Sequence, residues 1–139
     1  MPDYDARYLA GILFFNDGDF FEAHEVWEDA WMNSTGDLKK FYQGLIQAAV
    51  GLLHFCNGNV SGALKLYHSS RDKWRELETP YLGLDLPGFW RDMETCFHEL
   101  LHRDASQPPP TPKDELLPVI KIDPVPEQWP DAREILAEE

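Results

Sequence analysis

Basic residues are scarce in this chain: 12 Lys and Arg stand against 25 Asp and Glu, for a formal net charge of −13. A chain so charged repels phosphate backbones and anionic lipid surfaces, which argues against nucleic acid and membrane as partners. Long apolar runs are missing as well. The longest, Leu45 to Phe55, is broken by Gln47 and His54 and is too short to cross a bilayer. The opening Met1-Pro2-Asp3-Tyr4-Asp5 has neither the basic nor the apolar region of a secretion signal, so a cytoplasmic location is expected. Only two cysteines occur, Cys56 and Cys96, without CxxC spacing; free, buried thiols within helices are expected, not a disulfide or a zinc knuckle. No glycine-rich phosphate loop and no G-x-S-x-G elbow is present, and Ser34, Ser61, Ser69 and Ser70 have no base partner at a known spacing.

What the chain does have is an internal repeat at an offset of about forty residues. Arg7 to Trp27 (RYLAGILFFNDGDFFEAHEVW) overlays Gln47 to Tyr67 (QAAVGLLHFCNGNVSGALKLY), pairing Gly11 with Gly51, Leu13 with Leu53, Phe15 with Phe55, Gly18 with Gly58 and Ala23 with Ala63. Each copy sets a short Asn/Asp/Gly turn between two apolar-periodic stretches, the pattern of a helical hairpin that buries its apolar face only by stacking on another.

The spacing predicts five helices. The first runs from about Asp3 to Phe15, with Pro2 suited to its start, and the second begins after Asp19 as N-cap, with Glu22 completing a capping box, and lasts to about Met32. A third, capped by Asp37, reaches about Phe55; a fourth follows Asn59 to about Leu77, ahead of Pro80; a fifth spans about Pro87 to Arg103. Eight of the eleven prolines then fall between Pro108 and Pro130, so no helical period survives there. The expected architecture is therefore all-α: two stacked helical hairpins plus a fifth helix, and an extended Pro-rich C-terminal tail. Residues 1–104 form the domain. The acidic tail, 105–139, contains Val119-Ile120-Lys121-Ile122, suited to a short strand or a surface groove, and a last short helix from Asp131; it wraps its own domain or reaches a second subunit or protein partner, with Trp129 as a candidate anchor.

Two apolar helices carry polar lines. On the second, Phe20, Ala23, Trp27 and Trp31 share one arc and Phe21 and Met32 another, leaving His24, Glu25 and Glu28 between aromatics. On the third, Gln43, Gln47 and His54 fall within about 40° of one another at 100° per residue. Unpaired, each such group costs roughly 1–3 kcal/mol, so the lines are expected to meet, as a hydrogen-bonded network or as the wall of a pocket. In a pocket, a buried glutamate of raised pKa beside a histidine can move a proton, or hold a polar ligand or a metal through His24 and Glu28.

The run Phe20-Phe21-Glu22-Ala23-His24-Glu25-Val26-Trp27-Glu28, then Trp31, Tyr42-Gln43-Gly44-Leu45-Ile46-Gln47-Ala48-Ala49, His54, Gly58-Asn59 and Gly62-Ala63, resembles the small all-helical proteins grouped as domain of unknown function 309. The resemblance spans about Leu13 to Leu66. It implies a compact helical domain whose hallmarks are the aromatic-His-Glu and Gln-Gly-Leu-Ile-Gln segments, and it brings no activity with it.

Helix five holds a literal H-E-x-x-H, His98-Glu99-Leu100-Leu101-His102, the zinc-peptidase spacing. Neither a third ligand at a defined downstream place nor a preceding strand accompanies it, so the bland reading is one face of an amphipathic helix. Arg71, Lys73 and Arg75 form the one basic cluster, expected at the end of helix four where they offset its dipole, with a phosphate or an acidic partner as the alternative use. The sequence is thus read as a non-enzymatic binding or assembly module whose ligand-binding candidates are His24, Glu25, Glu28, Gln43, Gln47 and His54. The alternative is a small hydrolase with a divalent metal as cofactor, built on His24, Glu25 and Glu28 or on His98, Glu99 and His102.

Overall fold

The computed structural model describes residues 3–138; Met1, Pro2 and Glu139, and with them the helix-opening role expected of Pro2, lie outside the described residues. Those residues form six α-helices and no strand: α1 (Ala6–Asn16), α2 (Phe20–Met32), α3 (Gly36–Cys56), α4 (Val60–Lys73), α5 (Leu86–Leu101) and α6 (Ala132–Ala137). None is long and apolar enough to cross a membrane. The chain order of packing is α1 on α2, α2 on α3 and α3 on α4, so the two hairpins share the α2–α3 seam.

Helix limits shift where a local bond competes with the period. α1 starts at Ala6 and not at Asp3, because the Asp5 carboxylate accepts the Arg7 backbone N–H at 2.8 Å and sets the N-cap there. The capping box expected at the head of α2 does not form. Asp19 is the N-cap residue but makes no side-chain cap bond, and Asp19 and Glu22 each stand 3.7 Å from the Arg133 guanidinium of α6 instead. Thr35, not Asp37, precedes α3. α4 stops at Lys73, short of Leu77, because Trp74 turns into the core, stacked on Phe41 at 5.3 Å.

The repeat is realised bond for bond in its turns. Gly18 and Gly58 both take positive φ, 81° and 76°, and the amides of Asp19 and Asn59 donate back to Phe14 O and His54 O at 2.9 Å each. A left-handed residue there is what lets α2 and α4 fold back on their predecessors.

Contact between the helices of each hairpin depends on an indole lying on a glycine. The Trp27 ring covers Gly11 and the Trp74 ring covers Gly44, each occupying the place a Cβ would need. Trp27 Nε1–H donates to Tyr8 O at 3.1 Å, and Trp74 Nε1–H donates to Phe41 O at 3.0 Å; in both cases the acceptor lies three residues before the glycine. Ser70, fully buried, donates its hydroxyl to Gly44 O and secures the same seam. An aromatic core grows from these anchors: Tyr8 meets Phe41 edge-on at 5.8 Å, and Phe97 of α5 lies 5.0 Å from Phe55 and 4.8 Å from Tyr67.

Past α5 the chain has a 3-10 turn at Asp114–Leu116 and returns across α1. The Asn16 side chain clasps Ile120 in both directions, Nδ2–H to Ile120 O at 2.9 Å and Ile120 N–H to Oδ1 at 2.7 Å, with Ile120 and Ile122 buried. Val119 to Ile122 is no strand, since an amide side chain serves in place of a neighbouring strand; the backbone pairing there is an isolated bridge between Leu84 and Ile122. α6 packs on α1, with Arg133 over the Phe14 ring at 5.0 Å.

The glycines separate packing from propensity. A Cβ on Gly11 or Gly44 collides with an indole, whereas on Gly51, the repeat partner of Gly11, it meets its nearest neighbour at an ordinary 3.5 Å. Gly11→Ala and Gly44→Ala are expected to destabilise by about 1–3 kcal/mol or more through overpacking. Gly51→Ala is expected to be neutral or to stabilise by up to about 1 kcal/mol through helix propensity; urea unfolding of the three variants checks the order. A second measurement concerns α1. The Asp5 carboxyl is held below its usual range chiefly by the Arg7 side-chain hydrogen bond, against the opposing effect of burial. A lowered folded-state pKa gives stability that is complete above the unfolded value and is lost as pH falls through the folded one. Asp5→Ala should therefore cost about 1 kcal/mol at neutral pH, and the gap to wild type should narrow on acidification below about pH 4; urea midpoints equally separated at pH 7 and pH 3 would refute this.

Candidate functional site

α2 turns Phe20, Ala23, Val26, Trp27 and Ala30 into the core. Its outward line is Phe21, His24 with Glu25, Glu28 and Met32, at i, i+3/i+4, i+7 and i+11, which is one face of a helix. Phe21 is 54% and Met32 61% exposed. The expectation that His24, Glu25 and Glu28 lie between aromatics and away from a wet surface is therefore corrected on the Phe21 and Met32 side. α3 covers one side of α2 and α6 reaches only its edge, so the outer face stays bare. Glu25 and Glu28 are solvated, the Glu28 side chain being 49% exposed, which removes the buried glutamate that a proton-transfer pocket would need.

The imidazole is held at one nitrogen. His24 Nε2 lies 2.9 Å from Glu28 and Nδ1 lies 3.6 Å from Glu25, while the Phe21 ring centroid is 5.9 Å away. Three polar atoms in the region are buried without a hydrogen-bond partner: His24 Nδ1, Trp31 Nε1 and Gln47 Oε1. Lys39 sits over the Trp31 ring at 4.5 Å and closes one edge of the strip.

The two polar lines do not join. Gln43 and Gln47 are half-buried on α3, and no hydrogen bond links either of them, or His54, to His24, Glu25 or Glu28 among the described residues. His54 serves the turn instead: its Nδ1 lies 3.2 Å from Asn59 Nδ2, and its carbonyl accepts from Asn57 and Asn59. Being in the last turn of α3, it answers to the helix end before it can answer to α2.

In α5, His98, Glu99 and His102 are exposed, the two rings lie 4.5 Å apart, and Glu99 is bound to Lys113 at 2.9 Å. A glutamate so engaged is not free to act as a base. Among the described residues no three His, Cys, Asp or Glu side chains converge as metal ligands; at His24 the two carboxylates lie against opposite ring nitrogens and so face different volumes. Of the thiols, Cys96 is buried, and burial pushes it up to about 12. Cys56 is exposed, contrary to expectation, because it ends α3 where packing stops.

Comparison with known proteins bears out the resemblance read from the sequence: residues 8–66 match the family model described as Domain of unknown function (DUF309). The chain is 46% identical over 46 residues to an uncharacterized protein of Aquifex aeolicus (strain VF5), covering 32% of this chain and 14% of that protein. It is 29% identical over 103 residues to the uncharacterized protein YpuF of Bacillus subtilis (strain 168), covering 70% of this chain and 58% of that one. The matched stretches thus span 58% or less of the length of these relatives.

The His24–Glu28 pair is only partly buried, and an i,i+4 pair near the surface is worth only about 0.3–0.5 kcal/mol, part of which alanine recovers through helix propensity. His24→Ala/Glu28→Ala is accordingly expected to shift unfolding stability by no more than about 0.5 kcal/mol. A loss above about 2 kcal/mol in urea unfolding would mean instead that the pair fixes how the hairpins stack.

Proposed function

We propose that the chain is a binding module that docks a partner protein through the outer face of α2. The observation that carries this reading is the line Phe21, His24/Glu25, Glu28, Met32: two exposed large apolar side chains bracketing a partly buried acidic, imidazole-bearing centre on one helix. Exposed Phe and Met at helical spacing are what a helix presents when it lies along an apolar groove, and both residue types are enriched at interfaces. Glu25 and Glu28 select a partner segment that sets Lys or Arg among apolar residues, and the net charge of −13 steers such a segment inward.

The same charge supports a module without a nucleic-acid partner, and the clasp of Asn16 on Ile120 supports treating 105–139 as a tail wrapped over the domain 1–104. A metal-dependent hydrolase would need a third protein ligand beside His24 and Glu28 or beside His98 and His102, and the described residues bring none.

The test is photo-crosslinking in the cells that make the protein, with a benzophenone side chain in place of Phe21 or Met32 and, as control, in place of the exposed Val119 of the tail. The expected result is one protein captured at Phe21 and Met32 but not at Val119, through a basic, apolar segment. Its purified complex should weaken with salt and lose about 2 kcal/mol or more in Phe21→Ser/Met32→Ser. Equal capture at all three positions, or affinity unchanged in the double variant, sinks the reading.

A further inference from the structure

Half of the arginines in this arginine-poor chain, three of six, line a single groove. It lies between the last turns of α4 and the first turns of α5, is open to solvent and encloses about 770 Å³. Small-molecule sites span roughly 300–1,000 Å³. We infer that this groove is a ligand site, distinct from the α2 face, for a small molecule bearing an oxyanion, either phosphate or carboxylate, gripped by Arg71 and Arg91 against the wall formed by Trp90.

Three arginines face two lining carboxylates, Asp72 and Glu94, with a third, Asp85, at the edge of the groove. Arg75 is engaged by Asp72 at 2.8 Å, and Arg91 only grazes Asp85 at 4.0 Å. Arg71 makes no ion pair among the described residues, its guanidinium lying near the Tyr67 hydroxyl, and His68 stands on the same side. Glu94, on α5, is the remaining opposing carboxylate. Guanidinium forks match the two-oxygen edge of a carboxylate or phosphate, which an ammonium does not.

The wall supplies a second, independent pointer. Trp90 lines the groove, is only 8% exposed, and its Nε1–H has no hydrogen-bond partner. The other two deeply buried indoles, Trp27 and Trp74, each donate to a carbonyl. Behind Trp90, edge-on at 5.3 Å, is Tyr67, whose hydroxyl faces Arg71 and Glu94. A buried donor without an acceptor costs about 1–3 kcal/mol, which a ligand oxygen would recover where the groove wall opens to admit it. Leu77, Leu86 and Pro87 give the rest of the wall an apolar character suited to the body of an organic ligand.

The experiment uses full-length ¹⁵N-labelled protein, whose five indole N–H signals are read as inorganic phosphate, adenosine monophosphate or benzoate is titrated in at matched ionic strength with chloride as the reference anion. The Trp90 signal is assigned with Trp90→Phe. Saturable movement of that signal is expected with a Kd at or below about 1 mM, against a change of about tenfold or more in Arg71→Gln/Arg91→Gln. Both arginines are solvent-exposed, so the variant is expected to keep the indole spectrum of the folded protein. Glu94→Gln should tighten binding. Response to phosphate and the nucleotide but not to benzoate assigns a phosphate ligand, and the reverse assigns a carboxylate. A Trp90 signal unmoved up to about 10 mM of all three, or moved alike by chloride, or moved equally in the arginine variant, overturns the inference.

Discussion

Everything in this fold depends on an indole lying flat on a helix where a glycine leaves room for it. Trp27 on Gly11 and Trp74 on Gly44 each fill the volume a Cβ would need and tie their Nε1–H to a carbonyl one turn earlier in the facing helix. Such a contact fixes three quantities together: the distance between the helices, their sliding register and the rotation of the Trp-bearing helix about its axis. Buried apolar area alone would fix none of them sharply, because it is nearly indifferent to register. With the rotation of α2 set by Trp27, the centre of the Phe21, Glu25, Glu28 and Met32 line falls roughly 120° away, at 100° per residue. It has nowhere to go but outward, since α3 lies on the other side.

The parts of this arrangement legible in the sequence were those written in short-range terms. The hairpin turns were readable because Gly18 and Gly58 must take positive φ, and the repeat recurs there with the same backbone bonds. The helices were readable from their period, and their ends were misplaced by a few residues wherever a side chain made a bond the period does not encode, as at Asp5 and Trp74. The anchoring device itself was not readable. In the second hairpin it uses Gly44 and Trp74, neither of which stands at the repeat offset from Gly11 and Trp27, so an alignment at forty residues pairs Gly11 with Gly51, which carries no indole.

The candidate site was legible as a set of residues and not as an environment. Wheel geometry places His24, Glu25 and Glu28 together correctly, but which arcs of α2 are covered depends on α3 and α6, contacts that no local pattern declares. The same limit applies to His54, whose helical angle aligns it with Gln47 although its position in the last turn of α3 commits it to Asn59. The Asn16 clasp on Ile120, across more than a hundred residues, lies further still beyond sequence reach.

The two surfaces to which binding roles are assigned follow from one geometric rule. On a helix, the residue after an inward-facing one is turned by 100°, onto the flank. Trp27 points inward, and Glu28 after it lies on the acidic strip of α2. Ser70 points inward on α4 and is followed by Arg71, and Trp74 turns inward at the C-cap and is followed by Arg75; both arginines line the groove against α5. The side chains that hold the hairpins together thereby decide which charges reach solvent, and they deliver carboxylates to one face and guanidinium groups to the other. Oppositely charged faces on one small rigid domain repel each other's ligands, so a basic partner segment on α2 and an oxyanion between α4 and α5 need not compete. It also follows that a change at Gly11 or Gly44 would disturb not only stability but the charge each face presents, because the rotation of α2 or α4 would be lost before the helix itself.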